Sequence, residues 1–335
     1  MTIPSENVSL CAGIIEVARI AAARLTVRDA QFGYARLSAP QRTALQAQAD
    51  RWNDVTDALL AAWRGLPRGS ARHLAAMVPT DDELILFALA AAPHLDRTLA
   101  RAYRGLSGLH ELTVGLLLDL AATALEDRLA LVGVLHADRA LRRSGLVELA
   151  GPGPAMLDEI VDPSPSAIAA LRGERIAPPG PTATEGHELA DELIPVVEAA
   201  LALPPWRPGT VTVIAGPPQE RAAVIALRSA LDRRSVWHIH APIHDAAAWC
   251  RDAALSDVHL GVTADEPGPA ITALRPWVAS TGAAVVVACD GAAAGALASV
   301  DGVVSTQGVR QLARARISPS VPPGSVRTAL ETLGF

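Results

Sequence analysis

Short apolar segments alternate regularly with helical segments after residue 205, and this alternation limits the possible folds more than any other feature. The first unit, residues 211–234, predicts a buried strand, a tight Gly-Pro-Pro turn and an Ala/Leu-rich helix. Further strands are expected at residues 236–240, 258–262, 284–289 and 302–305, with helices at 220–233, 245–255, 270–280 and 292–300. Continuous apolar strands separated by helices are typical of a parallel sheet covered on both faces. The sequence therefore predicts a three-layer α/β domain with a five-stranded parallel sheet.

The turn after the first predicted strand lies where a nucleotide-binding α/β domain has its phosphate-binding loop. That loop has the pattern G-x-x-x-x-G-K-[ST], in which the glycines form a backbone cradle, the lysine binds phosphates and the hydroxyl binds Mg²⁺. Here Gly216 is followed by Pro-Pro-Gln-Glu and then Arg221, so the second glycine, the lysine and the hydroxyl are missing. The two prolines remove amide donors, and the chain contains no lysine at any position. The pattern predicts a nucleotide-binding architecture without the groups that bind phosphate.

The first half of the chain predicts a mainly helical domain. Ser38-Ala-Pro-Gln41 and Thr80-Asp-Asp-Glu83 are capping-box starts. Helices are expected at residues 6–28, 38–63, 80–93, 95–106, 112–125, 129–142 and 167–171. The segment GLVELAG alternates as a short strand does, and the turn Gly151-Pro-Gly-Pro154 follows it. Helices followed by a strand pair with a turn between them predict a winged-helix-like unit.

Composition shifts divide the chain into two domains. We assign residues 1–176 to the winged-helix-like domain, the Pro-rich residues 177–186 to a linker, and residues 187–335 to the α/β domain. Within the second domain, a helix is expected at residues 187–203 before the first strand. Shorter helical segments are expected at residues 312–316 and 326–333.

Charge and composition argue against several functional classes. The net charge is −6 with a pI near 5.8, whereas a nucleic-acid-binding domain is usually basic. The start of the chain lacks the basic and apolar regions of a signal peptide, and the apolar run over residues 84–93 is too short to span a bilayer. We therefore expect a cytoplasmic protein without a membrane segment.

Four stretches in the first half resemble a known family. They are TDDELILFALAAAPHLDRTLARAYRGL, LTVGLLLDLA, LRRSGLVEL and DEIVDPSPSAIAALRGE, which together span about residues 75–175. Their order and spacing resemble the N-terminal region of the AAA+ ATPases encoded with phage-tail-like contractile injection systems. The acidic start Asp81–Glu83, the sequence Ala92-Pro-His-Leu-Asp96 and Tyr103 match that family's acidic helix start, its "APELD" segment and its tyrosine.

The resemblance implies an AAA-type module after the winged-helix-like unit, in some members a degenerate one ahead of the active one. Residues 205–310 match a degenerate module, in which Gly216–Arg221 occupies the Walker A position. The acids Asp265 and Glu266 resemble Walker B, two residues after the apolar run, and Cys289-Asp290 ends the fourth strand where the family has a polar sensor. This implies a degenerate nucleotide site at Gly216, Arg221, Asp265 and Glu266, for which we expect no resident cofactor. ATP with Mg²⁺ remains the alternative.

Histidines and cysteines offer weaker signals. His238 and His240 share a face of a strand, and together with His244 or His259 they could chelate a metal. A structural role for the histidine pair is the competing interpretation, and we assign no metal site. Cys11, Cys250 and Cys289 are widely separated and odd in number, which excludes a disulfide framework, and the last two are expected to be inert core thiols.

These observations favour a non-catalytic assembly or adaptor protein that acts by binding proteins, such as injection-system components or an active AAA+ ATPase. Self-association is a further possibility. The first alternative is a fragment or atypical member of an ATP-dependent remodelling machine. The second alternative is a DNA-binding regulator that uses the winged helix, although the predicted recognition helix is not basic.

Overall fold

The computed structural model describes residues 5–66, 69–109, 111–150, 155–185, 206–290 and 302–305. The chain divides into two compact units, Met1–Ile176 and Ala177–Phe335. The first is mainly helical and the second combines helices with a parallel sheet, which confirms the predicted mixed α/β class.

The first unit is organised around its first helix. Its helices are α1 (Ser5–Gln31), α2 (Ala39–Ala49), α3 (Trp52–Arg64), α4 (Ser70–Met77), α5 (Asp81–Leu95), α6 (Arg97–Ser107), α7 (Val114–Ala121), α8 (Leu125–Val134), α9 (Ala140–Arg143) and α10 (Pro165–Arg172). Helix α1 packs against α2, α3, α5, α6, α7 and α10, and its Ile14 and Val17 are completely buried. The Asn7 amide donates to the carbonyl oxygens of Ala170 and Leu171 at 3.0 and 2.9 Å. The Ala170 carbonyl also accepts from the Gly173 amide, so Asn7 adds a second donor there and supplies one to Leu171 at the end of α10.

Helix α5 passes through a proline that we expected to end it. The prediction was a stop at Pro93, but the helix continues to Leu95. A proline in a helix leaves the carbonyl four residues earlier without its amide donor. Here that carbonyl belongs to Leu89, and it accepts a hydrogen bond from the buried Tyr103 hydroxyl at 3.3 Å. Tyr103 therefore compensates for the missing amide.

Other predicted helices are broken or shorter than expected. The helix predicted over 38–63 is two helices that meet at Arg51, which leaves the helical conformation and also forms an ion pair with Glu16 of α1 at 3.1 Å. The segment predicted as one helix over 129–142 is α8 and α9, and the helix predicted over 112–125 is the shorter α7. Helix α4 was not predicted.

A small antiparallel hairpin follows these helices. Strand β1 (Val147–Ala150) pairs with β2 (Ile160–Pro163) in the register Val147↔Pro163 to Ala150↔Ile160. Thr113, just before α7, forms a bridge with Ile160, and the Val161 amide donates to the Leu112 carbonyl at 2.8 Å. The segment before α7 therefore lies beside β2 as a third, very short partner.

The described sheet of the second unit has six strands. They are β3 (Ala183–Glu185), β4 (Val211–Ala215), β5 (Val236–His240), β6 (His259–Thr263), β7 (Val285–Cys289) and β8 (Gly302–Ser305), in the order β3-β5-β6-β7-β4-β8. Every neighbouring pair is parallel except β3–β5. Strand β3 corrects the sequence analysis, which placed its residues in a linker. Without β3, strand β5 would be the edge strand of the sheet. Three residues of the Pro-rich segment pair with it on that side.

Three described helices accompany the sheet: α11 (Pro218–Asp232), α12 (Ala246–Leu255) and α13 (Pro267–Thr281). The helices α11 and α13 begin two to three residues before the predicted starts, because proline is tolerated in a first helical turn. The helices predicted at 187–203, 292–300, 312–316 and 326–333 lie outside the described residues. Among the described helices, none combines the length and apolar character needed to cross a bilayer.

Candidate functional site

Three parallel strands end at one edge of the sheet, which brings the predicted site residues near each other. Ala215 of β4 is opposite Cys289 of β7, and Thr263 of β6 is opposite Ala288. Because β7 lies between β4 and β6, the ends of the outer two strands are about 10 Å apart, two strand spacings. The turns that contain Gly216, Asp265 and Asp290 therefore share the carboxyl edge, where ligands of open α/β sheets bind.

The turn after β4 offers few donors to an anion. The Gly216 amide donates to the Cys289 carbonyl at 3.2 Å and thus continues the sheet ladder. Pro217 is the N-cap of α11 and Pro218 its first residue, and no side chain caps this helix. A helix start normally presents four free amides, and two of these positions are proline, which has no N–H. The anion-binding capacity of this helix start is correspondingly reduced.

Arg221 occupies the first turn of α11 and is bound to an acid. The residue is 8% exposed, and its Nη1 lies 3.1 Å from Oδ1 of Asp290. Its Nε is buried without a hydrogen-bond partner in the described structure. A phosphate at this edge would have to compete with Asp290 for the guanidinium group.

The acids predicted as a Walker B remnant are exposed. Strand β6 extends to Thr263, one residue beyond the predicted end, and the Ala264 amide donates to the Ala288 carbonyl at 3.0 Å. Asp265 therefore follows the ladder directly, and Glu266 is the N-cap of α13 without a side-chain capping bond. In the part of the chain that the structure describes, neither acid forms an ion pair.

The chemistry of this edge does not fit a magnesium-bound triphosphate. Among the side chains that the structure describes in these three turns, the charged ones are Arg221, Asp265, Glu266 and Asp290. A triphosphate needs cationic and amide donors, and Arg221 is already paired with Asp290. The structure thus brings the four predicted residues to one edge but gives them a net negative charge. Sequence analysis missed that Asp290 binds Arg221, since no local pattern connects residues 69 positions apart.

The histidines do not form one cluster. His238, His240 and His244 line a cleft of about 750 Å³ together with Asp245 and Trp249. His238 lies against Gly261, where an added Cβ would be 3.2 Å from its Nδ1. His259 lies elsewhere, fully buried at the start of β6. Among the described residues, no three His, Cys, Asp or Glu side chains are placed to hold a metal ion.

His259 belongs instead to a buried polar cluster with two residues of α11. Its Nε2 lies 3.0 Å from Oδ2 of Asp232, whose other oxygen accepts from Arg228, and the Trp206 ring meets the imidazole edge-on at 4.7 Å. Burial raises the pKa of Asp232, but His259 and Arg228 favour its ionised form more strongly, and the net pKa is lowered. The Arg228–Asp232 spacing of four was a signal available in the sequence, whereas the role of His259 was not.

The cysteines of the second unit are buried. Burial raises the pKa of the Cys250 thiol to about 12, and it also raises that of Cys289 despite the nearby Arg221. Thiols with raised pKa values are poor nucleophiles at neutral pH, so neither is a candidate catalytic group.

Helix α8 exposes two large apolar side chains. It follows α7 after three residues and precedes the β1–β2 hairpin. Leu125 and Leu129 are each 65% exposed, and Glu126 and Asp127 are also exposed. Arg128 donates to Asp119 of α7. The outward side of α8 is therefore apolar and acidic.

Comparisons of the chain with protein-family models, with curated proteins and with solved structures find no match.

Proposed function

We propose that this chain is a non-catalytic assembly or adaptor protein that acts by binding other proteins, related to the AAA+ ATPases of contractile injection systems. One observation carries the proposal. At the sheet edge where such a fold would bind triphosphate, prolines replace amide donors and Asp290 holds Arg221. Since the described residues of this edge offer a phosphate few free donors, we infer that the chain works through its surfaces.

The order of the parallel strands supports the proposed relationship. Counted along the chain, these strands are arranged second, third, fourth, first and fifth, which is the order expected of an AAA module. Asp265-Glu266 follows the third of these strands and Asp290 follows the fourth, the positions that the family resemblance implies. The relationship therefore rests on topology and on the order of short motifs in the sequence.

The first unit supports protein binding over DNA binding. The order α7, α8, the short α9, β1 and β2, with Thr113 beside β2, supports the predicted winged-helix-like unit. Its second helix would enter the major groove in a DNA-binding protein. That helix is α8, whose exposed Glu126 and Asp127 would repel phosphates and whose exposed leucines suit a protein partner. Helix α2, of which no residue is buried, is a second surface for a partner.

Two measurements test whether the chain binds proteins or DNA. The immobilised full-length chain is probed with purified sheath, baseplate and ATPase components of the injection system encoded nearest to it, and saturable binding to at least one is expected. In parallel, a gel-shift titration with mixed-sequence duplex DNA at low salt is expected to show no complex. A salt-dependent DNA complex with no protein binding would replace the adaptor proposal with the regulator alternative.

A further inference from the structure

Three exposed arginines recur along one side of helix α6. Arg97, Arg101 and Arg104 follow one another at intervals of four and three residues, the spacings that place side chains on the same side of a helix. They span about 10 Å along the helix axis. Leu99 and Tyr103 of the same helix are buried, so α6 packs on its apolar side and presents the arginines to solvent. We call these three residues the α6 arginine stripe.

No carboxylate neutralises the α6 arginine stripe within the part of the chain that the structure describes. The helix itself contains no Asp or Glu, and none of the three arginine side chains forms a hydrogen bond or an ion pair with another described residue. The preceding acid, Asp96, is the N-cap of α6. It accepts from the Thr98 amide at 2.7 Å and pairs with Arg19 of α1 at 2.9 Å. The stripe is therefore uncompensated positive charge on a chain whose net charge is −6.

Helix stability does not account for the stripe. Like charges three and four residues apart destabilise a helix, and the stripe contains one pair at each spacing. Arg97 is also the first residue of α6, where the helix dipole disfavours a cation. Arg104, in the last turn, is favoured by the dipole. A bound anion would remove this repulsion, so the stripe is better suited to binding an acidic partner than to stabilising its own helix.

The exposed surface beside the stripe is flat and lacks large apolar groups. Each stripe residue is followed by a small exposed one, namely Thr98, Ala102 and Gly105. An added Cβ at Gly105 would meet nothing within 4 Å, so the backbone of a partner can approach closely. A helix that lies on a membrane surface inserts large apolar side chains, and those of α6 that are most apolar face inward. The exposed side of α6 therefore suits a protein better than a lipid surface.

The size of the stripe favours a short acidic segment over duplex DNA. Three phosphate contacts give an affinity that falls steeply with salt, and a duplex would extend beyond the stripe across a chain of negative net charge. At physiological ionic strength, charges interact over about 8 Å, so a short acidic segment is attracted mainly by the stripe itself.

We propose that the α6 arginine stripe binds an acidic segment of a partner protein. Guanidinium groups form paired hydrogen bonds with carboxylates, and a partner helix with Asp or Glu at four- and three-residue intervals has the spacing of the stripe. The inference rests on the protein-binding part of the proposed function and adds the chemistry of the partner segment. The two can fail separately, because binding of injection-system components can be measured with the stripe intact and with the stripe removed.

Fluorescence anisotropy of labelled poly-L-glutamate, titrated with the full-length chain at low salt, tests the proposal. Saturable binding that weakens with added salt is expected. The triple variant Arg97→Gln, Arg101→Gln and Arg104→Gln should weaken this binding at least about tenfold, since it removes three charge pairs. Its circular dichroism should be unchanged, because the three side chains are exposed and glutamine is a good helix former.

A matched control removes the same charge from exposed arginines outside α6. The triple variant Arg36→Gln, Arg42→Gln and Arg139→Gln should change the affinity by less than about twofold, because none of its positions belongs to the stripe. Absence of binding to poly-L-glutamate, or equal losses in the two triple variants, overturns the proposal. Tighter stripe-dependent binding to duplex DNA or to phosphatidylserine vesicles overturns it as well and assigns the stripe to that ligand.

Discussion

The partly buried acid Asp232 shows how a single residue can stabilise this fold. It lies between Arg228 and His259, where a neutral amide cannot replace its charge. Asp232→Asn should lower the free energy of unfolding at pH 7 by about 1–3 kcal/mol, less than the loss of a fully buried pair because the carboxylate is partly exposed. Urea denaturation measures the change. The control Asp257→Asn removes a more exposed ion pair with Arg234 and should stay within about 0.5 kcal/mol.

The same residue predicts a pH dependence. Its pKa in the folded state is lowered, so the stability it adds is present above the unfolded value of about 3.9 and is lost as pH falls through the folded value. The difference in stability between wild type and Asp232→Asn should therefore narrow as pH falls below about pH 4. A difference that does not narrow there would contradict this assignment.

Substitution of Gly261 by alanine adds one methyl group and tests how tightly the sheet is packed. A Cβ there would lie 3.0 Å from Val236 Cγ1 and 3.2 Å from His238 Nδ1. Gly261→Ala should therefore destabilise the second unit by about 1–3 kcal/mol through overpacking. Gly268→Ala in α13 is the matched control, because nothing lies within 4 Å of its Cβ position. Thermal unfolding should separate the two variants, and equal melting temperatures would refute the packing argument.

At the scale of elements, two similar capping boxes should contribute differently to the global free energy of unfolding. Thr80 caps α5, whose residues from Glu83 to Ala92 are almost all buried, and Ser38 caps α2, which has no buried residue. Thr80→Ala should lower the global free energy of unfolding by about 1 kcal/mol. Ser38→Ala should leave it nearly unchanged and accelerate hydrogen exchange in α2 alone, since an exposed helix opens locally. Equal global losses would show that α2 unfolds with the core.

The elements also show which features were predictable. The parallel strands were predicted nearly to the residue because they are continuous apolar runs between helices, and the two capping boxes were found because their signals are local. Three features could not be predicted from local pattern. Tyr103 allows α5 to pass Pro93, Arg51 at the break between α2 and α3 pairs with Glu16, and β3 forms from a Pro-rich segment by pairing with β5. Each depends on a partner distant in the sequence.

The candidate site also has features that the sequence predicted and features that it did not. The missing lysine, the prolines and the acids were evident in the sequence, and strand order brings them to one edge. The Arg221–Asp290 pair was not evident, because only the parallel pairing of β4 with β7 makes those residues neighbours. The sequence also did not indicate that Leu125 and Leu129 are exposed, since apolar residues at helical spacing ordinarily predict a buried face.

At the scale of the whole molecule, the proposed function requires that the carboxyl edge of the parallel sheet does not bind triphosphate. Calorimetric titration of the full-length chain with Mg²⁺-ATP to about 5 mM tests this most directly, together with the melting temperature in the same buffer. A ligand at about 100 times its Kd adds about 2.7 kcal/mol of stability, which is easily measured. We predict no saturable heat and an unchanged melting temperature. Saturable heat with a higher melting temperature, both abolished by Asp265→Asn with Glu266→Gln, would contradict it.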